Sequence, residues 1–362
     1  MIPIVKPFIA PSAELMPQIE KILYSGYIAE GEKVYEFEHK FQDWIGNPYC
    51  VSLNSGTAAL HIALLLAGVG PGDEVISTPL TAEPTNVAIK LVGAKVVWAD
   101  IDPATGLISP ESVRALITSR TKAIMVVHYA GMVCNMDELN KISEEHNIPI
   151  IEDAAHALGS KYGGKKIGNN SPYTIFSFQA IKHLTTIDGG MLAVKTPDDQ
   201  KNARLKRWFG LDKTKLRLEN DIQEPGYKYH MNNVNATVGM VQMRYIDSII
   251  ASHISNGKFY DQKLRNISGV ELIPYYPNTE PSYWLYTMKV DRRSDFCRMM
   301  ADGGVTASEL HLRNDRHSVF AESKRNLPAL EDFYSRFVHI PCGWWVSDED
   351  RERIVELIKK GW

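Results

Sequence analysis

The sequence predicts an α/β fold with a mainly parallel sheet, and three observations support this prediction. Short apolar runs typical of strands alternate with helix-like stretches through the first half of the chain. Such alternation is typical of parallel strands joined by right-handed crossovers. The chain has 362 residues, of which 44% are hydrophobic and 23% charged, so it is long enough to bury a large core. No internal repeat or low-complexity linker interrupts the pattern.

Each predicted element follows from local pattern. Strands are predicted where apolar residues form short runs, and helices where a cap or turn precedes a longer apolar or amphipathic stretch. The predicted strands are residues 49–53, 74–76, 95–98, 123–128, 149–152 and 174–178. The predicted helices are residues 58–67, 85–92, 110–117 and 136–145.

The pattern changes after about residue 240. A helix-like stretch over residues 242–264 leads into a region with a strand at 284–290 and a last helix at 348–360. We therefore predict a large α/β domain over residues 1–240 and a smaller α+β domain over residues 241–362.

Composition excludes several classes of partner. The formal net charge of −3 gives no general attraction to nucleic acid or to anionic membranes. The longest apolar segment, residues 62–69, is too short to span a bilayer, and the first residues do not resemble a signal peptide. The four cysteines show no CxxC pairing, so neither a metal site nor a disulfide framework is predicted. These observations favour a protein of the reducing cytoplasm.

Two residues that each follow a strand-like run are the strongest candidates for chemistry. Asp153 ends the run 148–153, and Lys182 follows the run 174–178. A buried carboxylate and a lysine suit pyridoxal 5'-phosphate (PLP), because the acid keeps the pyridine nitrogen protonated and the lysine bonds to the cofactor and carries protons. A structural acid and a surface cation are the alternative for an isolated pair, but the small residues after Asp153 and the Gly189-Gly190 pair after Lys182 favour PLP.

Other residues are candidate contacts for a phosphate or a ring. Ser55, Gly56 and Thr57 open a helix after a strand, so they form either an anion-binding cup or a plain helix cap. Ser177 is a second candidate phosphate contact. His156, three residues after Asp153, faces a cofactor ring or is a core histidine.

These segments together resemble the nucleotide-sugar aminotransferases of the DegT/StrS group, which are fold-type I PLP-dependent transferases. The resemblance covers nearly the whole chain, and the order and spacing of its motifs make it specific. The motifs are Ser25 to Ile28, Glu36 to Glu38, Ser55 to Leu60, Gly72 to Ile76, Glu152 to His156, Ser177 to Gly190 and Gly226 to Gln242.

The resemblance implies a role for each candidate. Lys182 is implied as the residue that bonds to PLP and Asp153 as the partner of its pyridine nitrogen. His156 is implied to lie near the phenolic oxygen of the cofactor. Gly56, Thr57 and Ser177 are implied to bind its phosphate, with Ser55 beside them.

The resemblance also implies a homodimer with shared active sites. The segment from Tyr227 to Asn233 is implied to reach the neighbouring subunit's site. Family members commonly carry an asparagine on the phosphate where this chain has Lys228, which is either a substitute phosphate contact or a solvated lysine. Many members carry an aromatic residue on the PLP ring where this chain has Ala82 or Glu83, so Ala82 is the candidate ring contact.

The implied reaction moves an amino group from glutamate to a keto sugar carried on a nucleotide, in glycan or surface-polysaccharide biosynthesis. A related branch replaces the lysine with histidine and dehydrates the sugar; because Lys182 precedes His183 at the expected position, transamination is favoured, and His183 is a candidate substrate contact. His311 and Arg313 lie in a segment rich in charge and imidazole, which is either a contact for a nucleoside diphosphate or a solvated loop. Another fold-type I reaction and a PLP-binding regulator without activity are the remaining alternatives.

Overall fold

A computed structural model describes all residues from 1 to 362. Helices, strands and 3₁₀ turns are numbered in chain order. The helices are α1 (Ser12–Leu23), α2 (Glu32–Ile45), α3 (Gly56–Leu66), α4 (Glu83–Leu91), α5 (Pro110–Leu116), α6 (Met136–His146), α7 (Pro197–Arg207), α8 (Asn233–Gln242), α9 (Ile246–Lys263), α10 (Arg293–Asp302), α11 (Pro328–Arg336) and α12 (Asp348–Lys359). The strands are β1 (Cys50–Leu53), β2 (Glu74–Ser77), β3 (Lys95–Trp98), β4 (Thr121–Val127), β5 (Ile150–Asp153), β6 (Lys161–Tyr162), β7 (Lys165–Lys166), β8 (Tyr173–Ser177), β9 (Gly190–Val194), β10 (Val270–Leu272), β11 (Thr279–Glu280), β12 (Tyr286–Val290) and β13 (Phe337–Ile340). Short 3₁₀ turns cover Tyr129–Gly131, Arg217–Glu219, Asn314–Arg316 and Ser318–Ser323.

A seven-stranded sheet forms the centre of the molecule, in the order β1-β9-β8-β5-β4-β2-β3. Six of its strands run in one direction, and β9 is antiparallel to both of its neighbours. The connection from β8 to β9 contains no crossover helix, which is why the two strands pair in opposite directions. The predicted α/β fold is confirmed, with this one antiparallel strand inside an otherwise parallel sheet.

Two hydrophobic cores support the structure. The larger cluster, of 73 buried residues, surrounds the seven-stranded sheet. A second cluster, of 17, lies around the antiparallel sheet β10-β12-β13 and includes Ile2 from the start of the chain. Trp284 and Leu285 belong to the larger cluster, whereas Tyr283 and Tyr286 belong to the second. The division of the chain at residue 240 stays a prediction.

The predicted element boundaries differ from the observed ones by a few residues at most positions. The stretch predicted as one helix over residues 242–264 begins later, because Gln242 ends α8 and a turn separates it from α9. The Gln242 side chain accepts a hydrogen bond from Ala10 N–H (2.8 Å) and donates one to Phe8 O (2.6 Å), so this end of α8 is fixed to the N-terminal segment.

None of the helices combines the length and the apolar character that crossing a bilayer requires.

Candidate active site

A cavity of about 380 Å³ lies at the carboxyl edge of the central sheet, where β1, β5 and β8 end. Its volume is within the range of small-molecule sites in proteins. Nine of the residues predicted from the sequence line it: Ser55, Gly56, Thr57, Ala82, Asp153, His156, Ser177, Lys182 and His311.

The start of α3 forms one end of this cavity. The Ser55 hydroxyl accepts a hydrogen bond from Ala58 N–H (3.1 Å) and thereby caps the helix. Gly56 and Thr57 are its first residues, so their N–H groups have no acceptor within the helix and are available to an anion. The backbone is close-packed here, since a Cβ at Gly56 would lie 3.0 Å from the Ser177 Cβ and one at Gly190 would lie 2.4 Å from Ser55 O.

Asp153, the last residue of β5, is held by two donors. The Thr85 hydroxyl donates to Oδ2 (2.7 Å), and the Ala155 N–H donates to Oδ1 (3.1 Å). Burial raises the pKa of the Asp153 carboxyl, although both hydrogen bonds and the nearby Lys182 oppose that effect. A carboxylate fixed in this way suits a partner that carries a positive charge.

Lys182 lies on the connection between β8 and β9, and its amine is buried in the same cavity. Burial lowers the pKa of Lys182 to about 7, while the Asp153 carboxylate acts in the opposite direction. A substantial fraction of the amine is therefore unprotonated at neutral pH, unlike that of an ordinary lysine. A group in this state can act both as a nucleophile and as a carrier of protons.

Two histidine rings complete the cavity. His156 and His311 lie nearly parallel, with ring centroids 6.0 Å apart and an interplanar angle of 8°. Burial lowers the pKa of His156 well below its ordinary value and that of His311 to about 4, so both rings are neutral. No Phe, Tyr or Trp side chain lines the cavity, which agrees with the absence of an aromatic residue at Ala82.

Three predicted site residues lie outside the cavity lining. Lys228 is exposed and forms a backbone bridge with Trp208. His183 is buried, with its ring 4.5 Å from that of His253. The Arg313 guanidinium is already paired with Asp315, at 2.7 Å, and with Glu331.

The structure also adds residues that the sequence did not indicate. Thr85 lines the cavity, and Trp284 lies beneath Lys182, with the amine nitrogen 4.0 Å from the ring centroid. Glu83, named from the sequence only beside Ala82, lines the cavity too. The sequence signal that could have indicated Thr85 is its position three residues after Ala82, in a segment rich in threonine. Trp284 was predicted only as part of a strand.

Comparisons with known proteins agree with this geometry. A model of the DegT/DnrJ/EryC1/StrS aminotransferase family matches residues 11–359. The chain belongs to this family. The DegT/DnrJ/EryC1/StrS aminotransferases depend on PLP, so the protein is a PLP-dependent aminotransferase of fold type I.

Three relatives in this family illustrate the match. The spore coat polysaccharide biosynthesis protein SpsC of Bacillus subtilis is 31% identical, over 96% of this chain and 94% of its own length. The sugar aminotransferase CalS13 of Micromonospora echinospora is 36% identical, with a TM-score of 0.97 and complete coverage of both chains. A third match is the PLP form of Spr1654 of Streptococcus pneumoniae, a protein whose sugar aminotransferase function is itself inferred. It is 28% identical, with a TM-score of 0.91 over 99% of this chain and 98% of that one.

The residues of this aminotransferase fit PLP. The uncapped N–H groups of α3 suit a phosphate, and the glycine at position 56 leaves room beside Ser177 for the close approach that such a site requires. Asp153 suits a protonated pyridine nitrogen, and Lys182 supplies a buried amine with a lowered pKa. All of these groups open on one cavity.

Proposed function

We propose that this aminotransferase moves an amino group from glutamate to a keto sugar linked to a nucleotide, in glycan or surface-polysaccharide biosynthesis. One observation carries the proposal: Asp153 and Lys182 lie in one cavity at the carboxyl ends of neighbouring parallel strands, β5 and β8. A carboxylate and a lysine with a lowered pKa in one cavity are the groups that PLP-dependent amino transfer requires.

Each residue has a defined task in this proposal. When bound, PLP supplies an aldehyde that takes up the amino group and a ring that withdraws electrons. Asp153 holds a proton on the pyridine nitrogen. Lys182 Nζ would take the proton from the donor carbon that carries the amino group and deliver it to the cofactor carbon that takes up that group, and would carry a proton the opposite way when the acceptor is aminated.

The remaining lining residues bind and orient. Gly56 and Thr57 hold the phosphate through backbone N–H groups, and Ser55 and Ser177 add hydroxyls. His156 donates a hydrogen bond from Nε2 toward the phenolic oxygen of the cofactor, since its Nδ1 accepts from the Ala130 N–H (3.4 Å) and the neutral ring therefore carries its hydrogen on Nε2. Ala82 contacts the ring of the cofactor.

The nature of the acceptor is supported by the relatives. CalS13 is named as a sugar aminotransferase and SpsC as a protein of spore coat polysaccharide biosynthesis. His311, neutral and with Nε2 lacking a partner, is placed to bind a sugar hydroxyl. His183 and Arg313 do not line the cavity, so substrate contact by either residue requires a rearrangement on binding.

A homodimer with shared sites is part of the proposal. Exposed apolar side chains precede the segment 227–233 that is proposed to reach the partner: Leu218 is fully exposed, and Leu216 and Ile222 are more than half exposed. Such a cluster is typical of a surface that another subunit covers. Lys228, also exposed, is proposed to meet the phosphate in the partner's site.

The four cysteines form no disulfide, which supports a cytoplasmic location.

Absorption spectroscopy with glutamate tests the proposal. Wild-type protein loaded with PLP should show a visible band that disappears on addition of glutamate, and Lys182→Ala should show neither the band nor the response. Lys165→Ala, a change at an exposed lysine, is the matched control and should behave as wild type. A panel of keto sugars, free and nucleotide-linked, should restore the band if it contains the acceptor. A band that does not change when glutamate is added would refute glutamate as the amino donor. If no band forms at all, the assignment of this cavity as the PLP site is wrong.

A further inference from the structure

Trp284 contacts two residues of the proposed site although it does not line the cavity. Its ring centroid lies 4.0 Å from Lys182 Nζ and 3.9 Å from the centroid of the His156 ring, which is stacked on it at 21°. Its indole N–H donates to the carbonyl of Ile181 (2.9 Å), the residue before the lysine. Trp284 is only 2% exposed. The indole is thus fixed to both the backbone and the side chain of the lysine segment.

The backbone that carries this indole is held from several sides. Tyr283 adopts a left-handed φ of 50°, which a tyrosine keeps only where its surroundings impose it. Its carbonyl accepts from His253 Nδ1–H (2.8 Å), and its hydroxyl donates to Asp261 (2.8 Å). The preceding Ser282 N–H donates to the Ser160 hydroxyl (3.0 Å). Hydrogen bonds from two other parts of the chain, α9 and Ser160, therefore determine where residue 284 lies.

Two glycines make room for the same segment. A Cβ at Gly257 would lie 2.4 Å from the Tyr283 ring, and a Cβ at Gly131 would lie 2.8 Å from the backbone nitrogen of Trp284. Real Cβ atoms do not approach other atoms so closely. The sequence thus permits a close packing that brings the indole to the lysine.

The chemistry of a proton-carrying lysine explains what an indole does there. The amine must hold a proton and then release it. A carboxylate in contact with it would bind the ammonium ion strongly and keep the proton. The face of an indole attracts the ammonium ion through its quadrupole but carries no formal charge, so it stabilises the cation more weakly.

We propose that Trp284 is a positioning residue for Lys182: its indole face holds the free amine in place and stabilises its protonated form between proton transfers. This inference rests on the proposed role of Lys182. Burial lowers the pKa of Lys182 and the Asp153 carboxylate opposes that effect; the indole face adds a second, uncharged stabilisation of the ammonium form. His156, stacked on the same indole, is positioned by it as well.

Other groups around the lysine titrate or carry charge, and they are the same in every variant used to test the proposal. These groups are Asp153 on β5, His156 and His183 near the lysine in the fold, Asp188 on the β8–β9 connection, Glu83 on α4 and His311 on the segment before Asn314. His156, which the indole also positions, is neutral, so a fall in the pKa of Lys182 on substitution of Trp284 reflects the loss of the indole face.

The test measures the pKa of Lys182 by chemical labelling. Full-length protein loaded with pyridoxamine phosphate, which leaves the lysine free, is treated with a trace of isotopically labelled acetic anhydride over a range of pH, and the Lys182 peptide is quantified by mass spectrometry. Wild type is compared with Trp284→Phe and Trp284→Leu. Trp98→Leu removes another buried indole, packed on Phe320, and is the matched control. Circular dichroism confirms that each variant is folded.

We expect the pKa to fall in the order wild type, Trp284→Phe, Trp284→Leu. The leucine variant should lie about one unit below wild type, equivalent to about 1.4 kcal/mol. Trp98→Leu should match wild type. If the leucine variant does not fold, the phenylalanine variant carries the test with roughly half that shift.

Two outcomes would overturn the proposal: a pKa that is unchanged or raised in the Trp284 variants, or an equal fall in Trp98→Leu. A separate arm uses PLP in place of pyridoxamine phosphate and should protect wild-type Lys182 from labelling. Labelling of Lys182 that PLP does not prevent would instead refute the proposed role of the lysine, whatever the variants show.

Discussion

Substitution of Glu152, the residue before Asp153, tests whether buried hydrogen bonds beneath the site stabilise the fold. Both Glu152 and His128 are completely buried, and His128 Nε2–H donates to Glu152 Oε2 (2.7 Å). The other carboxylate oxygen accepts from Ser171 N–H (3.1 Å) and the Thr174 hydroxyl (3.3 Å). His128 Nδ1 in turn accepts from Cys134 N–H (3.2 Å), so the ring is fixed with its Nε2 hydrogen pointing at the carboxylate.

Glu152→Gln preserves the shape of this side chain but replaces one acceptor with a donor. If the amide oxygen faces Ser171, the amide NH₂ faces His128, whose hydrogen then has no acceptor. If the amide is rotated, its NH₂ meets the Ser171 N–H instead. Either arrangement leaves a buried donor without an acceptor, so we expect a loss of about 2–3 kcal/mol of unfolding free energy.

Urea unfolding followed by circular dichroism measures this loss. Glu138→Gln, at an exposed pair with Lys141, is the matched control and should change stability by less than about 0.5 kcal/mol. Burial tends to raise the pKa of Glu152, but the hydrogen bond from His128 and the others outweigh it, so the pKa lies below the ordinary 4.5. The stability from the carboxylate is therefore full above pH 4.5 and is lost as the pH falls through the lower folded-state pKa.

The gap between wild type and Glu152→Gln should accordingly shrink below pH 4.5. Equal stability of the two proteins at pH 7, or a gap that widens in acid, would refute the assignment of these hydrogen bonds.

Three further predictions follow from the site and its supports. Gly190→Ala would place a Cβ 2.4 Å from Ser55 O, so it should cost about 1–3 kcal/mol and weaken PLP binding in equilibrium dialysis, while Gly70→Ala, with open space around it, should bind PLP normally. Because burial lowers the pKa of Lys182 to about 7, the rate at which apoprotein takes up PLP, followed by visible absorbance, should be half-maximal near pH 7 and fall about tenfold per unit below it; equal rates at pH 6 and 8 would contradict this. Asp261→Ala removes the acceptor shared by the hydroxyls of three tyrosines (Tyr275, Tyr283 and Tyr286) and should lower the unfolding free energy by about 1–3 kcal/mol in urea, whereas unchanged stability would argue against a role for this cluster.

The central sheet and much of the cavity were predictable because their signals are local. Asp153 ends a run of apolar residues, and Ser55 follows another, so the sequence alone indicates that both lie where strands of the sheet end. The predicted fold class, cofactor and enzyme class are confirmed. The roles assigned to the individual site residues stay predictions.

Other features depend on contacts between distant residues. The direction of β9 is decided by a connection without a helix, which has no distinctive pattern. The contact of Trp284 with Lys182 joins residues about 100 positions apart, and the local pattern at 284 indicates only a strand. The charge of Arg313 suggested an anion contact, but a charge pattern does not reveal that Asp315 and Glu331 already bind the guanidinium.

The distance along the chain between Lys182 and Trp284 has a consequence for synthesis. At about 5–20 residues per second, the ribosome adds the indole roughly 5–20 s after the lysine. Until then the whole segment beneath the lysine is missing, so water reaches the amine from that side and the burial that lowers its pKa is incomplete. A hydrated ammonium ion reacts poorly with an aldehyde. We therefore expect a nascent chain that ends before residue 284 to take up little PLP, so that the cofactor is loaded only after about four-fifths of the 362 residues have been made.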